Sequence, residues 1–97
     1  MKFSQEQLHS ITRYLRDKPV KRAWVFGSYA RGDADEKSDV DILIELDYSK
    51  HIGLLFFRMQ SDIEELIDAK VDLVTPDGLS KYIAPLVEKE KVLIYER

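Results

Sequence analysis

Asp39 and Asp41 stand two residues apart in the string Asp39-Val40-Asp41-Ile42-Leu43-Ile44-Glu45-Leu46. If that string is a strand, alternation throws both carboxylates onto one face, with about 7 Å of backbone between them. Two carboxylates so presented can converge on one hard cation. Magnesium takes oxygen ligands in octahedral geometry and keeps positions open for water and phosphate oxygens. A third acid, Asp72, interrupts the apolar run Val71-Asp72-Leu73-Val74. An acid in an apolar strand is costly unless it is solvated or paired. Beside the Asp39 strand it would join the same cluster, and a divalent cation would remove the mutual repulsion of three carboxylates. Two roles are then open to Asp72: general base towards an acceptor hydroxyl, or bridge to a second metal ion.

Gly27-Ser28 supplies the other half of the chemistry, where the apolar run Ala23-Trp24-Val25-Phe26 stops abruptly. A glycine there lets the backbone approach a ligand closely. Backbone N–H groups at the start of the following turn favour anions, and the Ser28 hydroxyl can bond a phosphate oxygen. Arg31, one turn later, either neutralises phosphate charge or pairs with Asp33, Asp35 or Glu36. The reaction such a set would run is in-line displacement at the α-phosphorus of a nucleotide, with pyrophosphate leaving and metal ions stabilising the attacking and leaving oxygens. Other residue types give less. Asp33 and Asp35 lack the glycine and distal glutamate of a calcium loop. His9 and His51 have no ligand partner at helical spacing and read as surface histidines. Trp24 and the Phe56-Phe57 pair read as core.

The elements that must position these residues follow from periodicity and capping. Ser4 with Gln7 makes a capping box for a helix over Ser4–Asp17, with Leu8, Ile11, Tyr14 and Leu15 on its buried face. A strand covers Ala23–Phe26, and a short helical turn over Tyr29–Arg31 closes at Gly32. The second strand runs Asp39–Leu46, with Val40, Ile42, Ile44 and Leu46 facing inward and Asp39, Asp41, Leu43 and Glu45 opposite. A long helix over Ile52–Asp68 packs Leu55, Met59, Ile63, Leu66 and Ile67, with Leu54, Phe56 and Phe57 widening its stripe. A third strand spans Val71–Thr75, a turn Pro76–Gly78, a helix Ser80–Glu90 punctuated by Pro85, and a last strand Val92–Tyr95, which could pair across a homodimer or cover an edge. Strands alternating with helices predict an α/β (α+β) fold, one layer of about four strands with helices packed on it. The connection between the first two strands is too short for a full parallel crossover, so the sheet is predicted to be mixed.

Composition narrows the function classes. At 97 residues, 44% hydrophobic and 34% charged, the chain is expected to form a single globular domain over residues 1–97. With 15 basic and 18 acidic residues its formal charge is −3, which argues against a dedicated nucleic-acid surface. The absence of cysteine excludes thiolate zinc sites and a cysteine nucleophile. The polar stretch Met1–Gln7 lacks a signal-peptide core and no apolar run could span a membrane, so a cytoplasmic location is expected.

Gly27-Ser28, then ten residues, then Asp39-Val40-Asp41 resembles the signature of the polymerase-beta-like nucleotidyltransferase superfamily. The fuller string Gly27-Ser28-Tyr29-Ala30-Arg31-Gly32 through Ser38-Asp39-Val40-Asp41 is similar to its minimal (MNT) branch, and Asp72 falls where that family's third carboxylate does. The resemblance implies a nucleotidyltransferase-like fold and a magnesium-dependent enzyme, with one or two Mg²⁺ ions and ATP as substrate. It implies that Asp39 and Asp41 hold metal, that Asp72 completes the site, and that Gly27 and Ser28 hold the triphosphate. It also implies a partner, a helical HEPN ribonuclease toxin that the MNT protein opposes as antitoxin and can adenylylate on tyrosine. The rival expectation, from a different class, is a non-catalytic binding module that neutralises its partner by forming a complex.

Overall fold

The computed structural model describes residues 3–97. Helix α1 (Gln5–Leu15) begins at the expected capping box: Ser4 N–H donates to Gln7 Oε1 at 3.0 Å and Gln7 N–H donates to Ser4 Oγ at 3.1 Å. Strand β1 (Val20–Phe26) runs straight into the short helix α2 (Gly27–Arg31), which Gly32 ends in the left-handed conformation. Strand β2 (Val40–Leu46), helix α3 (Leu55–Ile67), strand β3 (Val71–Val74), a 3₁₀ turn (Pro76–Gly78), helix α4 (Ala84–Glu90) and strand β4 (Val92–Glu96) follow. Pro85 sits in the first turn of α4, where its missing N–H costs nothing. That helix is therefore shorter at its start than the expected Ser80–Glu90.

The four strands form one mixed sheet in the order β3-β2-β1-β4. β1 is antiparallel to β2 and β4, and β2 is parallel to β3, so the connection from β2 to β3 through α3 is a parallel crossover. The expected fold class stands. α1 and α3 cover one face through Ile11, Leu15, Met59, Ile63 and Ile67, packed on Val25, Ile42 and Ile44 of the sheet. On the opposite face, α4 lays Val87 over Phe26 and Leu43.

Leu43 corrects the sequence reading in one respect. It lies on the acidic face of β2 yet is only 3% exposed, because α4 covers that end of the sheet. The α3 stripe is narrower than expected. Met59, Ile63 and Ile67 are buried, whereas Leu54, Phe57 and Leu66 are largely exposed. Leu54 precedes the helix, Phe57 turns to solvent against the edge of Phe56, and Leu66 lies at the margin of the stripe beside Tyr14, Asp62 and Glu65. The Phe56-Phe57 pair is thus only half core.

The outer edge of β3 is tied down by α3. Val71 N–H donates to Glu64 Oε2 at 2.8 Å and Leu73 N–H to Gln60 Oε1 at 3.0 Å. Side chains of the crossover helix thereby satisfy edge donors that would otherwise face solvent. Among the described residues no helix is long and apolar enough to cross a membrane. Replacing Leu43 by Ala should cost about 2–4 kcal/mol by opening a cavity under α4. Urea unfolding would measure it, and a loss below 1 kcal/mol would contradict the packing described.

Candidate active site

The sheet brings three sequence-distant segments to one end. β1 leaves the sheet at Phe26, opposite Asp41 of β2, and Asp41 is directly opposite Asp72 of β3. The register of the parallel pair is set by the amide of Val40 donating to Lys70 O at 2.8 Å. Asp41 and Asp72 are therefore cross-strand neighbours on one face, as sequence reasoning required. Asp39 precedes β2 and is exposed, as is Asp72, while Asp41 is half-buried.

Gly27 shows why only glycine fits the end of β1. Its φ is +72°, and any side chain there would collide with Asp41 Oδ2. The carboxylate thus occupies the volume of the missing side chain. Ser28 follows at the start of α2, half-buried. Its carbonyl accepts the amides of Gly32 and Asp33 at 3.0 and 3.1 Å, which folds the turn back on itself. Its hydroxyl makes no hydrogen bond among the described residues.

The electrostatics of this end are unbalanced. Burial, and then the charges of Asp72, Asp39 and Glu90, push the Asp41 carboxyl up to about 6, with Arg31 only partly opposing them. Among the described residues no three His, Cys, Asp or Glu side chains converge tightly enough to enclose a metal ion as they stand. The donor set nevertheless fits a hard divalent cation. It is all carboxylate oxygen, its central member is kept protonated by burial and by like charges that a cation would offset, and its two flanking members are exposed.

Arg31 is engaged by carboxylates. Its guanidinium donates to Asp33 Oδ2 at 3.3 Å and to Glu90 Oε2 at 3.0 Å. Asp33 was one of the partners the sequence suggested; Glu90, on α4, was not. Glu90 also accepts the Gly27 amide on Oε1 at 2.9 Å. It is the residue of this site that sequence reasoning missed. The available signal was weak: an acid at the last position of a helix opposes the helix dipole. Asp35 accepts Lys37 N–H and bonds Ser38, a local turn remote from any catalytic duty. His9 and His51 are exposed, and Trp24 packs under α4 with Lys91 Nζ 4.3 Å from its ring centroid. A further hollow of about 370 Å³, lined by Arg16, Lys18, Lys50, His51 and Arg97 among others, lies at the opposite end of the sheet and takes no part in this cluster.

Two predictions follow from this geometry. Gly27→Ala combines a left-handed backbone with a clash on Asp41 and should destabilise the fold by about 1–3 kcal/mol, read by thermal unfolding; a neutral outcome would mean the turn is free to rearrange. The raised Asp41 carboxyl gives a definite sign to the pH dependence. Its contribution to stability is full below the ordinary carboxylate range and is lost as pH rises through about 6. In metal-free buffer Asp41→Asn should therefore be the more stable protein at pH 7.5. The difference should be roughly 1 kcal/mol after allowing for partial solvent screening, and should vanish near pH 4.

The chain is similar to several known proteins. The family model for the nucleotidyltransferase domain matches residues 8–94. The protein adenylyltransferase MntA of Thermococcus cleftensis is 40% identical over 94 residues, covering 92% of this chain and 94% of that protein. A solved structure provisionally identified as a minimal nucleotidyltransferase superposes with a TM-score of 0.76 at 29% identity, over 89% of this chain and 87% of the other. A chain of the complex between a tri-AMPylated Shewanella oneidensis HEPN toxin and its MNT antitoxin has the same fold, with a TM-score of 0.70 at 20% identity, over 96% of this chain and 72% of that one. By this match across nearly the whole chain, this protein belongs to the nucleotidyltransferase domain family and is a nucleotidyltransferase of its minimal branch.

Proposed function

We propose that this chain is a magnesium-dependent protein adenylyltransferase that transfers AMP from ATP to a tyrosine hydroxyl of a HEPN-type toxin, and so acts as its antitoxin. The observation that carries the catalytic part is the register pairing of Asp41 with Asp72, beside a glycine whose missing side chain admits the Asp41 carboxylate. The names of the relatives described above support the choice of nucleotide, of a protein acceptor and of a toxin–antitoxin setting.

In this reading Asp39, Asp41 and Asp72 hold the metal, one ion or two. Bound there, magnesium would neutralise phosphate charge and stabilise the attacking and leaving oxygens. Gly27 and Ser28 hold the triphosphate, the Ser28 hydroxyl donating to a phosphate oxygen. Arg31 adds positive charge at the rim. The acceptor oxygen attacks the α-phosphorus in line, the bond between the α-phosphorus and the bridging oxygen breaks, and pyrophosphate departs. The hydroxyl proton passes to a carboxylate. Asp72 is suited to take it, being exposed where an acceptor on another protein can reach it.

The test uses ATP labelled in the α-phosphate, magnesium, and a HEPN-type protein as acceptor. Wild type should label a tyrosine of the partner. Asp39→Asn and Asp41→Asn should lose more than the roughly 10–100-fold that disturbing a metal site's outer partners costs. A stable complex with no transfer from any nucleoside triphosphate would contradict the enzyme and leave a module that neutralises by binding alone.

A further inference from the structure

We infer that Glu90 is a positioning residue for the triphosphate site, holding the Gly27-Ser28 turn and Arg31 in place through a single carboxylate. The assignment rests on the nucleotide reading proposed above. Glu90 Oε1 accepts the Gly27 amide at 2.9 Å and Oε2 accepts Arg31 Nη1 at 3.0 Å. One side chain thus joins both ends of α2 to the end of α4, across 63 residues of sequence in the first bond and 59 in the second.

Two electrostatic costs attend this position. Glu90 is the last residue of α4, where an anion opposes the helix dipole. It also adds negative charge beside Asp41. Its hydrogen bonds offset both, since bonds to a charged acceptor are among the stronger ones. With the Gly27 amide and one arm of Arg31 fixed by Glu90, the turn has a set direction, and the Ser28 hydroxyl, unbonded among the described residues, is left for the phosphate.

The same contacts could describe the reverse arrangement, with Glu90 filling an anion position that phosphate must take from it. The anchoring favours the brace. The Glu90 side chain is only 23% exposed. Val87, three residues earlier, is 2% exposed and fixes α4 to the sheet beside Phe26 and Leu43. Expelling the carboxylate would leave it unpaired in a largely buried position, which is costly.

The experiment compares wild type, Glu90→Gln and Glu90→Ala for binding of AMP-PNP with magnesium, and for hydrogen exchange of the Gly27 amide. Glutamine keeps an acceptor for Gly27 but cannot accept from Arg31 with its amide nitrogen. The dissociation constant should rise about 10-fold in Glu90→Ala and by less in Glu90→Gln, while Gly27 exchange accelerates only in the alanine variant. An unchanged dissociation constant with a lowered melting temperature would reduce Glu90 to a support for α4 and overturn the assignment. Tighter binding in either variant would overturn it in the other direction, making Glu90 a competitor of the phosphate. Failure of wild type to bind AMP-PNP would sink the nucleotide reading and this assignment with it. Accelerated Gly27 exchange in Glu90→Ala would then show that the contact itself exists and that the fault lies in the nucleotide reading.

Discussion

The carboxylate of Asp41 lies in the space where Gly27 has no side chain, and most of this structure can be understood as the means of keeping it there. The contact joins the end of one strand to the start of its antiparallel neighbour, and the parallel neighbour sets Asp72 directly opposite. Three segments far apart in sequence therefore meet at one end of the sheet. The price is electrostatic: the central carboxylate is partly buried among like charges and holds its proton up to about pH 6. A fold seldom keeps such a cluster unless something positive is meant to sit in it.

The two faces of the sheet divide the labour. α1 and α3 bury the apolar side of β2, with Val40, Ile42 and Ile44 fully inaccessible, and that core fixes the strand against slipping. A slip of one residue would turn Asp41 into the core and Ile42 out of it. α3 then reaches over the edge to hold β3 by its outward amides, which secures Asp72. The other face is covered by α4 together with Leu79, and α4 brings Glu90 to the turn that the strands leave open. Asp47, at the far end of β2, is held by Ser49 and Arg97. Those bonds keep its carboxyl well below the usual range and tie the C-terminal strand to the sheet away from the chemistry.

Much of this was legible in the residues themselves. The capping box at Ser4, the alternation along β2 and the abrupt stop at Gly27-Ser28 are local signals, and local signals survive into the fold. The mixed sheet followed from the short connection between β1 and β2. The same alternation that exposed the Asp39–Asp41 pair also set Leu43 on the acidic face, but nothing in β2 could show that α4 would cover it. Leu54, Phe57 and Leu66 are apolar yet exposed, and periodicity alone cannot tell a buried position from a marginal one beside it. Glu90 was hidden for a related reason. Its partners Gly27 and Arg31 lie at the other end of the sequence, and a contact of that range leaves no spacing to read.

The most direct test of the account uses Mn²⁺ as a paramagnetic stand-in for magnesium, added with AMP-PNP to isotope-labelled protein, with line broadening followed residue by residue. The amides of Gly27, Ser28, Asp41 and Asp72 are expected to broaden first and together, with Asp41→Asn weakening the effect at all of them. Broadening centred instead on the acidic end of α3, at Glu64, Glu65 and Asp68, or spread evenly over the surface, would contradict the claim that the Asp41–Asp72 pair is the metal-holding centre.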